Sequence, residues 1–382
     1  MKILVLGADG YLGWPTCLYL SQRGHDVIGI DNYFRRNAGT ELDCEPLIQT
    51  PNLIQRAKIW NNKTGKKIKI HIGDVANYSF LLSIFSEYKP DVVVHYAEQP
   101  SATYSMIDRD RAAFTLINNL TSTLNIVYAV REVNPACHII KLGTLGEYGT
   151  PNIDIEEGWI EIEHKGRKDK FLFPRQSGSL YHTTKIQDTD MLWFYVRTWG
   201  LKVTDLMQGP VYGLFTDETE RDPRLMPNYN YDEIFGGVMN RFIVQAVVGY
   251  PLSIYGNGNQ TRGFLNIKDT MQCVYLAITN PAKQGQLRVL NQFTEPFSLN
   301  QLANKVKLVG DRMGYNVTIE HLENPRVEKE DHYYKIHHTG LSEIGLKPLY
   351  LSDEIIEEFF TTVENYKNNI NKSIFYKGIK WK

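Results

Sequence analysis

The sequence predicts an α/β protein built on a doubly wound parallel sheet, and three observations carry that prediction. Short apolar runs alternate with mixed segments long enough to form crossover helices. The runs are almost continuously apolar, as strands covered on both faces must be. A turn with glycines three apart follows the first run and leads into a helical segment.

Taken in order, KILVLG (2–7) is the first strand and GADGYLG (7–13) the turn, with a helix over 13–24. DVIGID (26–31) is the second strand. The connection that follows is unusually long, and its section 37–67 holds Pro46, Pro51, a helix around 52–61 and a basic NNKTGKK turn. An insertion of that size serves as a lid or clasp, expected on the cofactor side. IKIHIGD (68–74), DVVVHYA (91–97) and CHIIKLG (137–143) continue the strands, with helices over 78–88 and 111–132 between them. After about residue 205 the pattern loosens. Segment 214–235 is polar, 242–250 reads as a helix ending at Gly249, 255–264 as a glycine-rich turn and 324–334 as a charged loop. The expected organisation is a first domain over 1–205 and a smaller, discontinuous lobe over 206–382.

Composition narrows the function. With 42% hydrophobic residues, 22% charged residues and a net charge of −1, the chain has no field that recruits nucleic acid or an anionic membrane. Cys17, Cys44, Cys137 and Cys273 form no CxxC pair and read as buried thiols of a reducing compartment. The opening apolar run is too short for a signal peptide, and none approaches the ~20 residues that span a bilayer. A cytoplasmic location is the expectation. No metal-ligand spacing occurs, so no metal is expected.

The chemistry concentrates in three places. Gly7, Gly10 and Gly13 let backbone turn sharply at a helix N-terminus, whose free N–H groups suit a pyrophosphate. Asp31 closes the second strand, where a carboxylate bonds ribose hydroxyls and disfavours a 2′-phosphate; Asp74 ends the third and is placed for adenine. Arg35 and Arg36 argue the other way, for a 2′-phosphate, and weigh less than Asp31. Tyr181 and Lys185 are four apart, on one face of a helix, where an ammonium beside a phenol lowers its pKa. KLGTLGEYGT (141–150) sets Thr144 at a strand end with Glu147 three residues on. Arg262 and Arg326 carry planar forks that match phosphate oxygens.

GxxGxxG, the strand-end Asp31, Thr144, YxxxK and QGPVYG (208–213) together resemble the extended short-chain dehydrogenase/reductases. GADGYLGWPT, EQPSATYSMIDR (98–109), KLGTLGEYGTPNIDIEEG (141–158), SLYHTTK, GNGNQTRGFLNIKDT (256–270) and NPRVEKEDHYY are similar to the UDP-sulfoquinovose synthase family within them. Pro100 stands where that family is expected to carry an arginine. The resemblance implies NAD as cofactor, UDP-glucose and sulfite as substrates, a carbon–sulfur bond-forming enzyme of hydrolase/lyase type, and a homodimer through 111–132 and 181–198. It adds Tyr11, Leu12, Asn32 and Arg36 to the cofactor site. It further adds Val75, Asn119, Gln208 and Val211 there, beside Tyr181 and Lys185. For the substrate it implies Gln99, Thr144, Gln208, Tyr255, Arg262 and Arg326. Tyr181 would take the proton of the sugar 4-hydroxyl, with Glu147 or His182 serving the proton transfers at carbons 5 and 6. A UDP-sugar 4-epimerase or 4,6-dehydratase is the alternative on the same scaffold. A typical dehydratase carries Asp-Glu directly after the threonine, whereas Leu145 and Gly146 intervene here.

Overall fold

A computed structural model describes residues 1–381. In chain order, β1 (Lys2–Leu6), α1 (Gly13–Gln22), β2 (Asp26–Asp31), α2 (Phe34–Glu41), α3 (Leu53–Thr64), β3 (Ile68–Ile72), α4 (Tyr78–Tyr88), β4 (Val92–His95), α5 (Arg109–Val133) and β5 (His138–Thr144) form the first part. A protruding hairpin, β6 (Trp159–His164) and β7 (Arg167–Leu172), precedes α6 (Leu180–Trp199) and β8 (Lys202–Gln208). The remainder holds β9 (Val211–Tyr212), α7 (Val238–Val247), β10 (Leu252–Tyr255), β11 (Thr261–Asn266), α8 (Ile267–Thr279), β12 (Gln286–Gln292), β13 (Glu295–Ser298), α9 (Leu299–Arg312) and β14 (Ile319–Leu322).

The central sheet has seven parallel strands in the order β3-β2-β1-β4-β5-β8-β12. Strand alternation sorts its side chains into two cores. Leu4, Leu6, Ile28 and Val93 pack under Phe85, Ile126 and Val130 of α4 and α5. Ile3, Val5, Val27 and Val94 pack on the other face, under Trp14, Leu53 and Val274 of α1, α3 and α8. The strand order switches sides between β1 and β4, so a crevice opens at their carboxyl ends, where α/β sheets bind ligands.

Three local readings differ from the sequence expectation. β3 is the sheet's outer strand, with Lys69 and Ile72 exposed, because nothing covers its far side. The helix expected at 242–250 begins earlier, at Val238, since Gly237 is still extended. The turn expected over 255–264 closes at Gly258, and Thr261–Phe264 already pair with β13. Late in the chain, β12 joins the edge of the central sheet by pairing with β8 along seven residues.

The insertion forms α2 and α3 and grips the glycine turn. The Arg56 side chain, fully buried, pairs with Asp9 Oδ1, and Arg36 Nε lies 2.6 Å from Asp9 Oδ2. Asn228 donates to the Asp9 carbonyl at 2.7 Å, and Leu47 N donates to Tyr229 O at 2.8 Å. The insertion therefore joins the glycine turn to the second lobe. Among the described residues no helix is long and apolar enough to cross a membrane, and no cluster of metal-type ligands forms.

Candidate active site

A cavity of about 510 Å³ lies between the carboxyl ends of β1, β4 and β5 and the second lobe. Its first end is shaped by missing side chains. A Cβ on Gly13 would stand 1.9 Å from Gly7 O, and one on Gly7 would stand 2.8 Å from the Tyr96 carbonyl carbon. Gly7 also has φ +84°, which L side chains rarely adopt. The turn thus lets α1 begin directly against the sheet. Leu12 supplies no side-chain cap and the first turn of α1 holds no acid; Trp14 N donates to Gly10 O at 3.2 Å and Pro15 has no N–H, so the N–H groups of Leu12 and Gly13 are the ones left for an anion. Tyr11, Leu12, Asp31, Asn32, Asp74 and Val75 line this end. Asp31 accepts from Asp9 N at 2.8 Å and Tyr33 N at 2.7 Å. Burial, then the neighbouring Asp9, pushes its carboxyl up to about 6.

At the middle of the cavity stand Thr144, at the end of β5, and Tyr181, in the first turn of α6. Ser179 caps α6 by accepting from His182 N at 3.2 Å, and Tyr181 N donates to Ser105 Oγ at 3.1 Å, which fixes the helix start. Lys185 comes from the same helix but does not contact the phenol. Its Nζ lies 2.6 Å from Glu98 Oε2 and 2.6 Å from the Leu142 carbonyl, and 6.0 Å from the Tyr181 ring centre. Lowering of the Tyr181 pKa by Lys185 is thus not what this arrangement gives. Burial raises the phenol well above its usual range, Glu98 and Glu147 raise it further, and Lys141 opposes them.

Glu147 corrects the sequence reading more sharply. It is fully buried beneath the cleft rather than in it. Its Oε1 accepts from Thr144 N at 3.1 Å and lies 3.3 Å from Lys141 Nζ, while Arg175 Nη1 donates to Oε2 at 2.6 Å. Together with the Thr144 hydroxyl, which accepts from Gly146 N at 3.2 Å, this closes a capping box around Leu145–Glu147. With both oxygens committed inside, Glu147 is not placed to exchange protons with a sugar. His182 sits behind Gly146, beside Tyr181 at 5.3 Å between ring centres. Burial, then Arg326 and Arg262, lowers it to about 3, so its ring is neutral.

The far end of the cavity is cationic. Arg241, Arg262 and Arg326 line it with Tyr255 and Gln260. Arg262 Nη2 pairs with Glu328 at 2.5 Å, and Arg326 lies over Trp381 at 5.2 Å. The Tyr255 hydroxyl, Gln260 Oε1 and Arg241 Nε are buried without a hydrogen-bond partner in the protein, as donors and acceptors reserved for a ligand are.

The profile of the NAD dependent epimerase/dehydratase family matches residues 3–291. This chain belongs to that family. It is similar to the chloroplastic UDP-sulfoquinovose synthase of Spinacia oleracea, 46% identical over 381 residues that cover 100% of this chain and 79% of that one. It is similar to the UDP-sulfoquinovose synthase of Sulfolobus acidocaldarius, 45% identical over 100% of this chain and 98% of the other. Among solved structures it resembles the UDP-glucuronic acid 4-epimerase of Bacillus cereus, which was solved with UDP-glucuronic acid and NAD. That likeness has a TM-score of 0.71 at 21% identity, covers 96% of this chain and 99% of the other, and speaks for the fold alone.

NAD is the cofactor of this family member, and the first end of the cavity fits it. The glycine turn leaves room for a pyrophosphate against α1, and Asp31 stands where ribose hydroxyls would be read. Not every residue expected there is present. Arg36 is turned away onto Asp9, Thr50 and Pro51, and its neighbour Arg35 lines the cavity, stacked 3.2 Å from the Phe235 ring centre. Asn119 is fully buried, accepting from Gln99 N and donating to Thr184 Oγ1, so Asn118 faces the cavity in its place. Gln99, expected at the sugar, is fully buried and bonds Thr115 Oγ1 and Ser101. It shapes the 98–105 loop, from which Pro100 and Ser101 reach the cavity. Gln208 and Val211 do line it, and Gln208 Oε1 has no partner in the protein. Glu98 and Arg241 escaped the sequence reading. Glu98 lies in EQPSATYSMIDR, but no spacing links it to Lys185, and Arg241 directly precedes the apolar run expected as a helix over 242–250.

Proposed function

We propose that this family member converts UDP-glucose and sulfite into UDP-sulfoquinovose. The observation that carries the proposal is the near-full-length identity of 45–46% to two UDP-sulfoquinovose synthases. When bound, NAD supplies the acceptor and later the donor of the hydride at sugar carbon 4.

The chain's own residues then have separable tasks. Tyr181 takes the proton of the 4-hydroxyl and returns it at the end. Thr144 hydrogen-bonds that hydroxyl and orients the sugar against Tyr181. Arg262, Arg326 and the additional Arg241 hold the diphosphate, while Tyr255, Gln260 and Gln208 fix the remaining hydroxyl and uracil groups. A ketone at carbon 4 acidifies the proton on carbon 5, so water leaves from carbons 5 and 6 and the resulting enone accepts sulfite at carbon 6. With both Glu147 oxygens committed to protein partners, His182, which stands behind Gly146 next to Tyr181 with a neutral ring and Nδ1 unpartnered, is assigned the proton transfers of that elimination. A dimer through α5 and α6 belongs to the same reading, and Ile117 and Phe194 are exposed on those helices.

Mass spectrometry after incubation with UDP-glucose, with and without sulfite, tests the proposal. A sulfonated nucleotide sugar formed only with sulfite is expected. UDP-galactose or a 4-keto-6-deoxy sugar as the product would replace the proposal with an epimerase or a 4,6-dehydratase.

A further inference from the structure

Glu98 occupies a position that the reaction sketched above does not use. It follows β4, lines the cavity, and both its oxygens are buried. Oε2 lies 2.6 Å from Lys185 Nζ, and Oε1 lies 3.1 Å from His95 Nε2. His95 Nε2 in turn stands 3.3 Å from Thr123 Oγ1 on α5. The lysine is therefore held from two sides, by a carboxylate and by the Leu142 carbonyl at the floor.

We propose that Glu98 is a positioning residue for the sugar oxidation, holding the Lys185 ammonium against the floor of the cleft and so setting how basic Tyr181 is. This rests on the reading of Tyr181 as the proton acceptor.

The charged and titratable groups around Tyr181 come from four elements. Lys141 is on β5, Glu147 in the turn after it, Glu98 after β4, and His182, Lys185 and Asp188 are on α6. Lys141 and Glu147 face each other at 3.3 Å and offset one another at the phenol. His182 is neutral. Burial and then Glu98 raise Asp188 well above the usual carboxylate range, and Asp188 in turn raises the phenol, by less than Glu98 does. Glu98 itself is anionic. Burial would push it up, but Lys185 and then His95 overcome that and bring it to about 2. What remains is a Glu98–Lys185 pair whose negative member raises the phenol and whose positive member is held 6.0 Å from its ring centre.

The sign follows. A proton acceptor works when deprotonated, so the rate climbs as pH rises through its pKa. Removing the Glu98 charge leaves the ammonium uncompensated, stabilises the phenolate, and moves that climb to lower pH.

The test uses the holoenzyme mixed with UDP-glucose in the absence of sulfite, following the rise of reduced-NAD absorbance across pH. Glu98→Gln is expected to move the midpoint of the climb down by about one unit, the size of a single close charge. Glu98→Asp keeps the charge but withdraws it by one methylene, and is expected to move the midpoint in the same direction by less. Tyrosinate absorbance of each form, minus that of its Tyr181→Phe counterpart, is expected to titrate with the same shifts. If Glu98→Gln does not fold, Glu98→Asp decides alone. A wild-type midpoint in every variant that folds, with only a uniformly lower rate, overturns the proposal. Wild-type protein that forms no reduced NAD from UDP-glucose overturns the assignment of Tyr181 instead, and this inference with it.

Discussion

Thr144 stands between two buried lysine–glutamate pairs of the same chemistry. Lys141 and Glu147 lie beneath the floor, 3.3 Å apart, with Asp205 also 3.3 Å from the lysine and Arg175 on the glutamate. Lys185 and Glu98 lie at the cleft, 2.6 Å apart, and Glu98 lines the cavity. The inner pair is closed on all sides. Although burial pulls the Lys141 ammonium down, Asp205 and Glu147 hold it above its usual value. The outer pair borders the cavity through Glu98. The same two residue types are thus set once inside the protein, among further charged partners, and once at the wall of the cavity in which the reaction is proposed.

The comparison can be tested from its strongest consequence downward. Tyr181→Phe removes the proposed proton acceptor next to the outer pair and is expected to lower the rate of NAD reduction by about 10²–10⁴-fold while leaving the melting temperature in place. Stopped-flow absorbance and thermal unfolding read the two quantities. Glu147→Gln attacks the inner pair. It strands Lys141 and Arg175 with less compensation, and an expected loss of roughly 3–5 kcal/mol in unfolding free energy follows from breaking a buried ion pair. Denaturant unfolding measures it. A Glu147→Gln protein of full stability that cannot form the sulfonated product would return Glu147 to the chemistry and dissolve the contrast. Arg326→Ala lies outside both pairs, at the diphosphate end. It is expected to weaken UDP-glucose by about 1.5–3 kcal/mol, the worth of a charged hydrogen bond, as seen by calorimetry with kcat much less affected.

Much of this was legible in the sequence, for reasons that can be named. The strands over 2–7, 26–31 and 91–97 are short, apolar and bounded by glycine, acid or proline, and their side chains have nowhere to go but two cores. The glycine turn is fixed by contacts that any Cβ would violate, so its pattern reports geometry directly. Which way an individual side chain turns was not legible. Glu147 follows Thr144 by three residues in a 3₁₀ turn, and its direction is decided by Lys141 and Arg175, which come from other segments. Arg35 and Arg36 are adjacent, yet one reaches the cavity and the other Asp9, because consecutive helical residues point about 100° apart. The sixth sheet strand, β8, escaped because Asp205 and Gln208 interrupt its apolar run, and Asp205 is buried only by virtue of Lys141 and Thr189.

The clasp on Asp9 constrains what this scaffold can become. A protein that reads NADP needs a cation beside the second strand to meet the extra phosphate. Arg36 has the right address in the sequence, but its guanidinium is bound to Asp9, Thr50 and Pro51, and Arg56 shares the same carboxylate from a fully buried position. Redirecting Arg36 toward a phosphate would leave Asp9 and the start of α3 without their shared partner, and would loosen the tie that Asn228 makes from the second lobe. A change of cofactor that recruited Arg36 would therefore reach beyond the ribose pocket, into the contacts that tie the glycine turn to the start of α3 and to Asn228.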